Sequence, residues 1–163
     1  MKDLNRTSMK CLKSSALLLV IACSFLQSSA QDQRQLFNEP NYNKRKIFTD
    51  LPDKMPLKTA SLESLLDLPV GTAVNTTAAK NFHIIGKVVS KSDANDASVK
   101  TVVVRLANRD NAILTFTRTT KRDGSFSFIG RIYNRNNGDA LEIVKENTQY
   151  VLIKKGLYDL ISE

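Results

Sequence analysis

From Phe82 onward the chain alternates apolar and polar residues with a period of two, as strands buried on one face do. Six segments carry the alternation: Phe82–Lys91, Val99–Ala107, Ala112–Thr120, Ser125–Tyr133, Asp139–Lys145 and Gln149–Lys154. Val70–Asn75 offers a seventh, shorter one. The separators are turn-formers, among them Asn108-Arg109-Asp110, Arg122-Asp123-Gly124 and Asn134–Gly138. Each is shorter than the roughly twelve residues a parallel crossover needs, so consecutive strands are expected to be antiparallel neighbours. The pattern predicts a meander.

Turn length also fixes register, because a slip of one residue moves a whole strand's apolar set to the other face. Val102, Val104 and Leu106 fall opposite Phe116, Leu114 and Ala112. A three-residue turn at Arg122-Asp123-Gly124, closed by glycine in the left-handed region, sets Phe128 opposite Arg118 and Ile132 opposite Leu114. The next turn then brings Leu141 opposite Ile132 and Ile143 opposite Gly130. The result is one apolar face. The other face is mixed, with Val103, Arg105, Ile113, Thr115, Thr117, Ile129, Arg131, Tyr133 and Glu142, and the register predicts an Arg131–Glu142 ion pair across strands. In the last strand both Tyr150/Leu152 and Val151/Ile153 are apolar. This implies burial on both sides, by curling into a small barrel or by a covering helix.

Before the strands, Thr59 is placed to cap a short helix, with Leu62, Leu65 and Leu66 at i, i+3 and i+4 and Pro69 forcing its end. Residues 31–58 are polar, interrupted by Pro40, Pro52 and Pro56, and show no period. They are expected to form a linker or tail, ordered only where Leu51, Met55 and Leu57 dock. The expected fold is mainly β, with α+β as the alternative: a six- to seven-stranded antiparallel meander, curled or closed into a small barrel, preceded by one short helix. Its domain spans residues 59–163.

Residues 1–30 have a different character. Lys2, Arg6, Lys10 and Lys13 precede an apolar run from Ala16 to Leu26, and Ser28-Ser29-Ala30 supplies small residues for a signal peptidase. The run is shorter than the roughly 20 apolar residues of a transmembrane helix. An export signal is expected, cleaved between Ala30 and Gln31, giving a periplasmic or secreted protein. The alternative is lipidation at Cys23, since Val20-Ile21-Ala22-Cys23 resembles a bacterial lipobox; only then would the mature chain be tied to a membrane. The leader and its Ala-Gln junction resemble those of exported proteins of Gram-negative bacteria.

Cleavage changes the charge. The chain carries 24 basic and 16 acidic residues, a net +8, and loss of 1–30 leaves 20 and 15, a net +5. This is too modest for a dedicated nucleic-acid binder, and the single basic cluster, Lys44-Arg45-Lys46, sits in a polar stretch. Both cysteines, Cys11 and Cys23, lie in the leader, so no disulfide or thiol site is expected in the mature domain. His83 is the only histidine, which excludes a histidine-built zinc site. No Gly-rich phosphate loop is present, and Ser92–Asp96 lacks the spacing of a calcium loop. Asp139 and Glu142 share a strand at positions of opposite parity, so they point to opposite faces and cannot act as an acid/base pair. No cofactor, metal or catalytic residue is expected.

No family resemblance spans the chain. Within residues 123–155, the succession of strand, turn, Gly130-Arg131-Ile132, Asn137-Gly138-Asp139, strand and Gln149-Tyr150-Val151-Leu152 is similar to β-rich propeptides of secreted metalloproteases, without a cysteine switch. The expected function is a small exported, non-catalytic binding module for a protein or glycan partner at the cell envelope. Its candidate binding face is Arg105, Arg131 and Tyr133, because arginine and tyrosine bury area while keeping directional donors. The alternative is an inhibitor- or propeptide-like domain acting on a secreted enzyme, with 31–58 as its inhibitory strand.

Overall fold

The computed structural model describes residues 41, 43–93 and 98–161. The leader, with Cys23, Ala30 and Gln31, lies outside the described residues. Among the described residues, eight antiparallel strands form a single sheet curled into a half-barrel. They are β1 (Lys54–Pro56), β2 (Ala73–Ala79), β3 (Phe82–Asp93), β4 (Val99–Leu106), β5 (Ile113–Thr120), β6 (Phe126–Tyr133), β7 (Asp139–Glu146) and β8 (Gln149–Gly156). β2 to β8 follow one another as a meander, and β1 closes the row beside β8. Sequence alternation counts six or seven strands. The eighth, β1, is too short to show a period and is recruited by pairing Met55 with Leu152.

The register follows the alternation. Val104 pairs with Leu114, Leu114 with Ile132, Ile132 with Leu141, and Gly130 with Ile143. At Arg122-Asp123-Gly124 the N–H of Lys121 donates to Ser125 O (2.8 Å), and Gly124 has φ +79°, the left-handed residue this turn requires. Bulges at Ala78 and Val89 interrupt β2 and β3. Each adds a residue to one strand and increases local twist, which helps the sheet curl.

The inner face of the half-barrel is the core. Val102, Val104, Leu106, Leu114, Phe116, Ile132, Leu141 and Leu152 are all buried there. The apolar row ends at Arg118, whose guanidinium lies 4.7 Å from the Phe126 ring centroid. Two elements cover this face. The first is the short helix α1 (Thr59–Glu63), continued by a 3-10 turn (Ser64–Asp67), which buries Leu62, Leu65 and Leu66. Thr59 is its first residue and not its cap. The cap position is Lys58, which makes no side-chain capping bond and whose N–H donates to Ala78 O (2.8 Å). Tertiary anchoring thus replaces local capping.

The second cover is the stretch 43–57, an ordered strap docked by Leu51 and Met55 and also by Ile47 and Phe48. Ile47, Phe48, Leu51 and Met55 are buried in the core, and Phe48 meets Phe82 edge-on at 6.3 Å. Buried Asp139 accepts the N–H groups of Ile47 (2.8 Å) and Phe48 (2.9 Å). Arg109 forks onto Asp50 at 2.6 and 2.8 Å and donates to Ile47 O (3.0 Å). That hydrogen-bonded guanidinium holds the Asp50 carboxyl below the usual carboxylate range. Lys154 donates its N–H to Asp53 O (2.8 Å) and its Nζ to Leu51 O. Gly138 lets the strap close in, since a Cβ there would stand 2.7 Å from Lys44 O. Pro56 sits on an edge strand, where a missing N–H is tolerated.

A second helix, α2 (Leu157–Ile161), follows β8 and packs against β7 and β8 on the outer face. This accounts for the doubly apolar last strand. Leu152 faces the core, while Val151 belongs to the outer side with Leu157 and Leu160, and all four are buried.

Candidate binding cleft

The outer face of β5, β6 and β7 would be an ordinary half-wet sheet surface but for two additions. Helix α2 rises beside it, carrying Leu157, Tyr158 and Leu160, and Lys44 reaches in from the strap. Together they bound an open cleft of about 930 Å³. That volume is within the roughly 300–1,000 Å³ of typical ligand sites.

Thr115 and Thr117 on β5, and Ile129, Arg131 and Tyr133 on β6, present their side chains to this face by simple alternation. Ile129 is 62% exposed, an apolar side chain with nothing covering it. Glu142 on β7 is the only carboxylate among the described lining residues. It pairs with Arg131 at 3.3 Å, the cross-strand contact its register predicts, and with Lys155 at 2.8 Å. Burial pushes the Glu142 carboxyl up, but Lys155 and Arg131 outweigh it and hold the group below its ordinary value. Glu142 is therefore ionised at neutral pH.

The rim is organised around Tyr158. Its hydroxyl oxygen accepts the Asn41 N–H (3.0 Å), and Lys44 Nζ lies 5.4 Å from its ring centroid. The Asn41 N–H, with Lys44 beside it, holds the phenol below the usual tyrosine range. Lys44 Nζ also donates to Arg135 O (2.9 Å), tying the strap to the β6–β7 turn. The Arg135 side chain lines the cleft, and among the described residues no carboxylate pairs with it.

Of the three residues expected to form a binding face, the structure brings two together. Arg131 and Tyr133 line the cleft. Arg105 shares their sheet face and stands in register with Ile113, which pairs with Tyr133, but on β4 it lies beyond the cleft wall. Sequence reading misses Lys44, Arg135 and Tyr158. Lys44 is the first of the basic triplet, and the other two have no signal in alternation because they sit in a turn and a terminal helix.

Asp139 and Glu142 do point to opposite faces: the first binds the strap inside, the second lines the cleft outside. His83 is exposed and its Nδ1 lies 3.1 Å from Thr77 Oγ1, on strands away from the cleft. Among the described residues, no group of His, Cys, Asp or Glu could hold a metal ion, and no helix is long and apolar enough to cross a membrane. No family model, curated protein or solved structure matches this chain.

Proposed function

We propose that the chain is a small exported binding module of the bacterial cell envelope, with no catalytic chemistry of its own, which takes its ligand in the cleft of β5–β7. The observation that supports this is the cleft itself: ring faces, hydroxyls, an exposed isoleucine and several cations converge on one open concavity. Such a mixture of apolar wall and a few convergent polar groups is how ligand sites are generally built. The carboxylates do not suggest hydrolytic chemistry. Glu142 is held ionised by two cations, and Asp139 is occupied by backbone donors on the other face.

The test is amide-resolved NMR of the exported chain against a library of charged and ring-bearing fragments. Hits are expected to shift Thr115–Thr117 and Ile129–Tyr133, and to be lost in a folded Tyr133→Ala variant. Hits scattered over the surface, or none on these strands, refute the reading. Export itself makes a separate prediction: the intact mass should begin at Gln31, whereas a mass beginning at a diacylated Cys23 places the protein on a membrane. The inhibitor-like alternative assigned its inhibitory strand to 31–58. Ile47, Phe48, Leu51 and Met55 of that stretch are buried in the domain's own core, which favours the binding module.

A further inference from the structure

The floor of the cleft is made of inner strands. β5 is paired with β4 and β6, β6 with β5 and β7, and β7 with β6 and β8. Between β6 and β7 the pairing covers Gly130–Tyr133 and Ala140–Ile143, and over that stretch the backbone donors and acceptors are used within the sheet, so an extended peptide finds no free edge there. Recognition at Arg131, Tyr133 and Glu142 therefore comes from side chains.

Those side chains are of two kinds. Thr115, Thr117, Tyr133 and Tyr158 offer hydroxyls and ring faces, while Lys44, Arg131 and Arg135 bring positive charge. Glu142 offsets only part of that charge, because Lys155 binds it as well as Arg131. Among the described residues neither Arg135 nor Lys44 has a carboxylate partner. Among the described residues the cleft therefore carries more cations than carboxylates, beside hydroxyls and aromatic faces.

We infer that its ligand is an acidic oligosaccharide, a run of sugar rings bearing uronic carboxylates. The inference rests on the cleft being the binding site. A sugar ring lays its C–H face on a tyrosine ring or on Ile129, and amphipathic side chains suit such a half-apolar body. Its hydroxyls exchange hydrogen bonds with Thr115 and Thr117 and donate to the remaining lone pairs of Glu142. Its carboxylate meets the Arg135 guanidinium, whose planar fork matches a carboxylate with two parallel donors.

The probes are three trisaccharides, of galacturonate, mannuronate and glucuronate, each with its neutral methyl ester, titrated into the exported chain at low salt. At least one acid form should shift the amides of Thr115–Thr117 and Ile129–Tyr133. Esterification should weaken it by about tenfold or more, the loss of one charge-assisted hydrogen bond. Arg135→Gln, with unchanged melting, should do the same. An Arg45→Gln, Lys46→Gln variant outside the cleft should change binding by less than about twofold, as for solvated surface charges. Equal binding of acid and ester, shifts confined to residues 43–46, or no binding by any acid form overturns the inference. If a neutral fragment still shifts the cleft amides in that case, only the acidic sugar is lost. If no probe reaches the cleft, the binding-module reading falls with it.

Discussion

Replacing Asp139 should detach the strap from the sheet. Its carboxylate is 2% exposed and accepts two backbone N–H groups, from Ile47 at 2.8 Å and Phe48 at 2.9 Å. Asp139→Asn keeps the shape but not the chemistry. One amide oxygen still accepts one N–H, while the NH2 group now faces the other donor. A hydrogen bond to a charged group contributes about 1.5–3 kcal/mol, and a buried donor left unpaired costs about 1–3 kcal/mol. One such bond is lost, and relief from burying the carboxylate offsets part of it, so Asp139→Asn should cost about 1.5–3 kcal/mol. Asp139→Ala strands both donors and should cost about 3–5 kcal/mol. Equilibrium urea unfolding measures both. Limited trypsin digestion should show faster cleavage after Arg45, Lys46 and Lys54 in the variants, because these bonds lie in the strap. If Asp139→Asn unfolds within about 0.5 kcal/mol of the parent, the carboxylate is not what holds the strap, and the reasoning fails.

Other perturbations follow from the face assignment, the turn and the cleft. Leu114→Ala, fully buried on the inner face, should cost about 2–4 kcal/mol, and Thr115→Ala on the outer face much less; equal costs in denaturation would mean the alternation is not the burial pattern. Gly124→Val should cost about 1–2 kcal/mol, entirely from backbone strain at φ +79°, since nothing lies within 4 Å of the added Cβ. Asp123→Ala, losing acceptors for the Ser125 N–H (2.9 Å) and hydroxyl (2.7 Å) at a solvent-exposed turn, should cost less than Gly124→Val, and the reverse order in melting would argue for a different turn. Glu142 has a folded pKa below its ordinary value of 4.5, so its stabilising contribution is complete above that value and is lost as pH falls through the lower folded one. Glu142→Gln should flatten the stability–pH slope below pH 4.5, and an unchanged slope would place the acid sensitivity elsewhere.

Much of the meander is legible in the sequence because two constraints act together. Alternation fixes which residues of each strand face inward, and the short turn at Arg122–Gly124 permits only pairings that keep those faces aligned. The short turn at Asn134–Gly138 acts in the same way on the next pair of strands and sets Arg131 opposite Glu142. The strap is less legible. Leu51, Met55 and Leu57 stand out only as apolar residues in a polar stretch, and Ile47 and Phe48 follow no period because their places are set by a distant partner, Asp139. The cleft combines both cases. Tyr133 and Arg131 follow from parity, but the walls come from Lys44 and α2, more than a hundred residues apart in the sequence. Arg105 shares their parity but lies on β4, outside the cleft.

The contact of β1 with β8 sets an order of events. Leu51 and Lys154 are bonded across 103 residues, and Asn41 and Tyr158 across 117. Closing so long a loop is entropically expensive, whereas the successive hairpins of the meander each close over a few residues. The hairpins should therefore form first, leaving the part of the inner face that the strap covers bare until residues 43–57 meet β7 and β8. Ile47, Phe48, Leu51 and Met55 are made early but have no complete seat until the last strand exists. Residues 149–156 are thus the final piece of the docking surface that the earliest core residues must wait for.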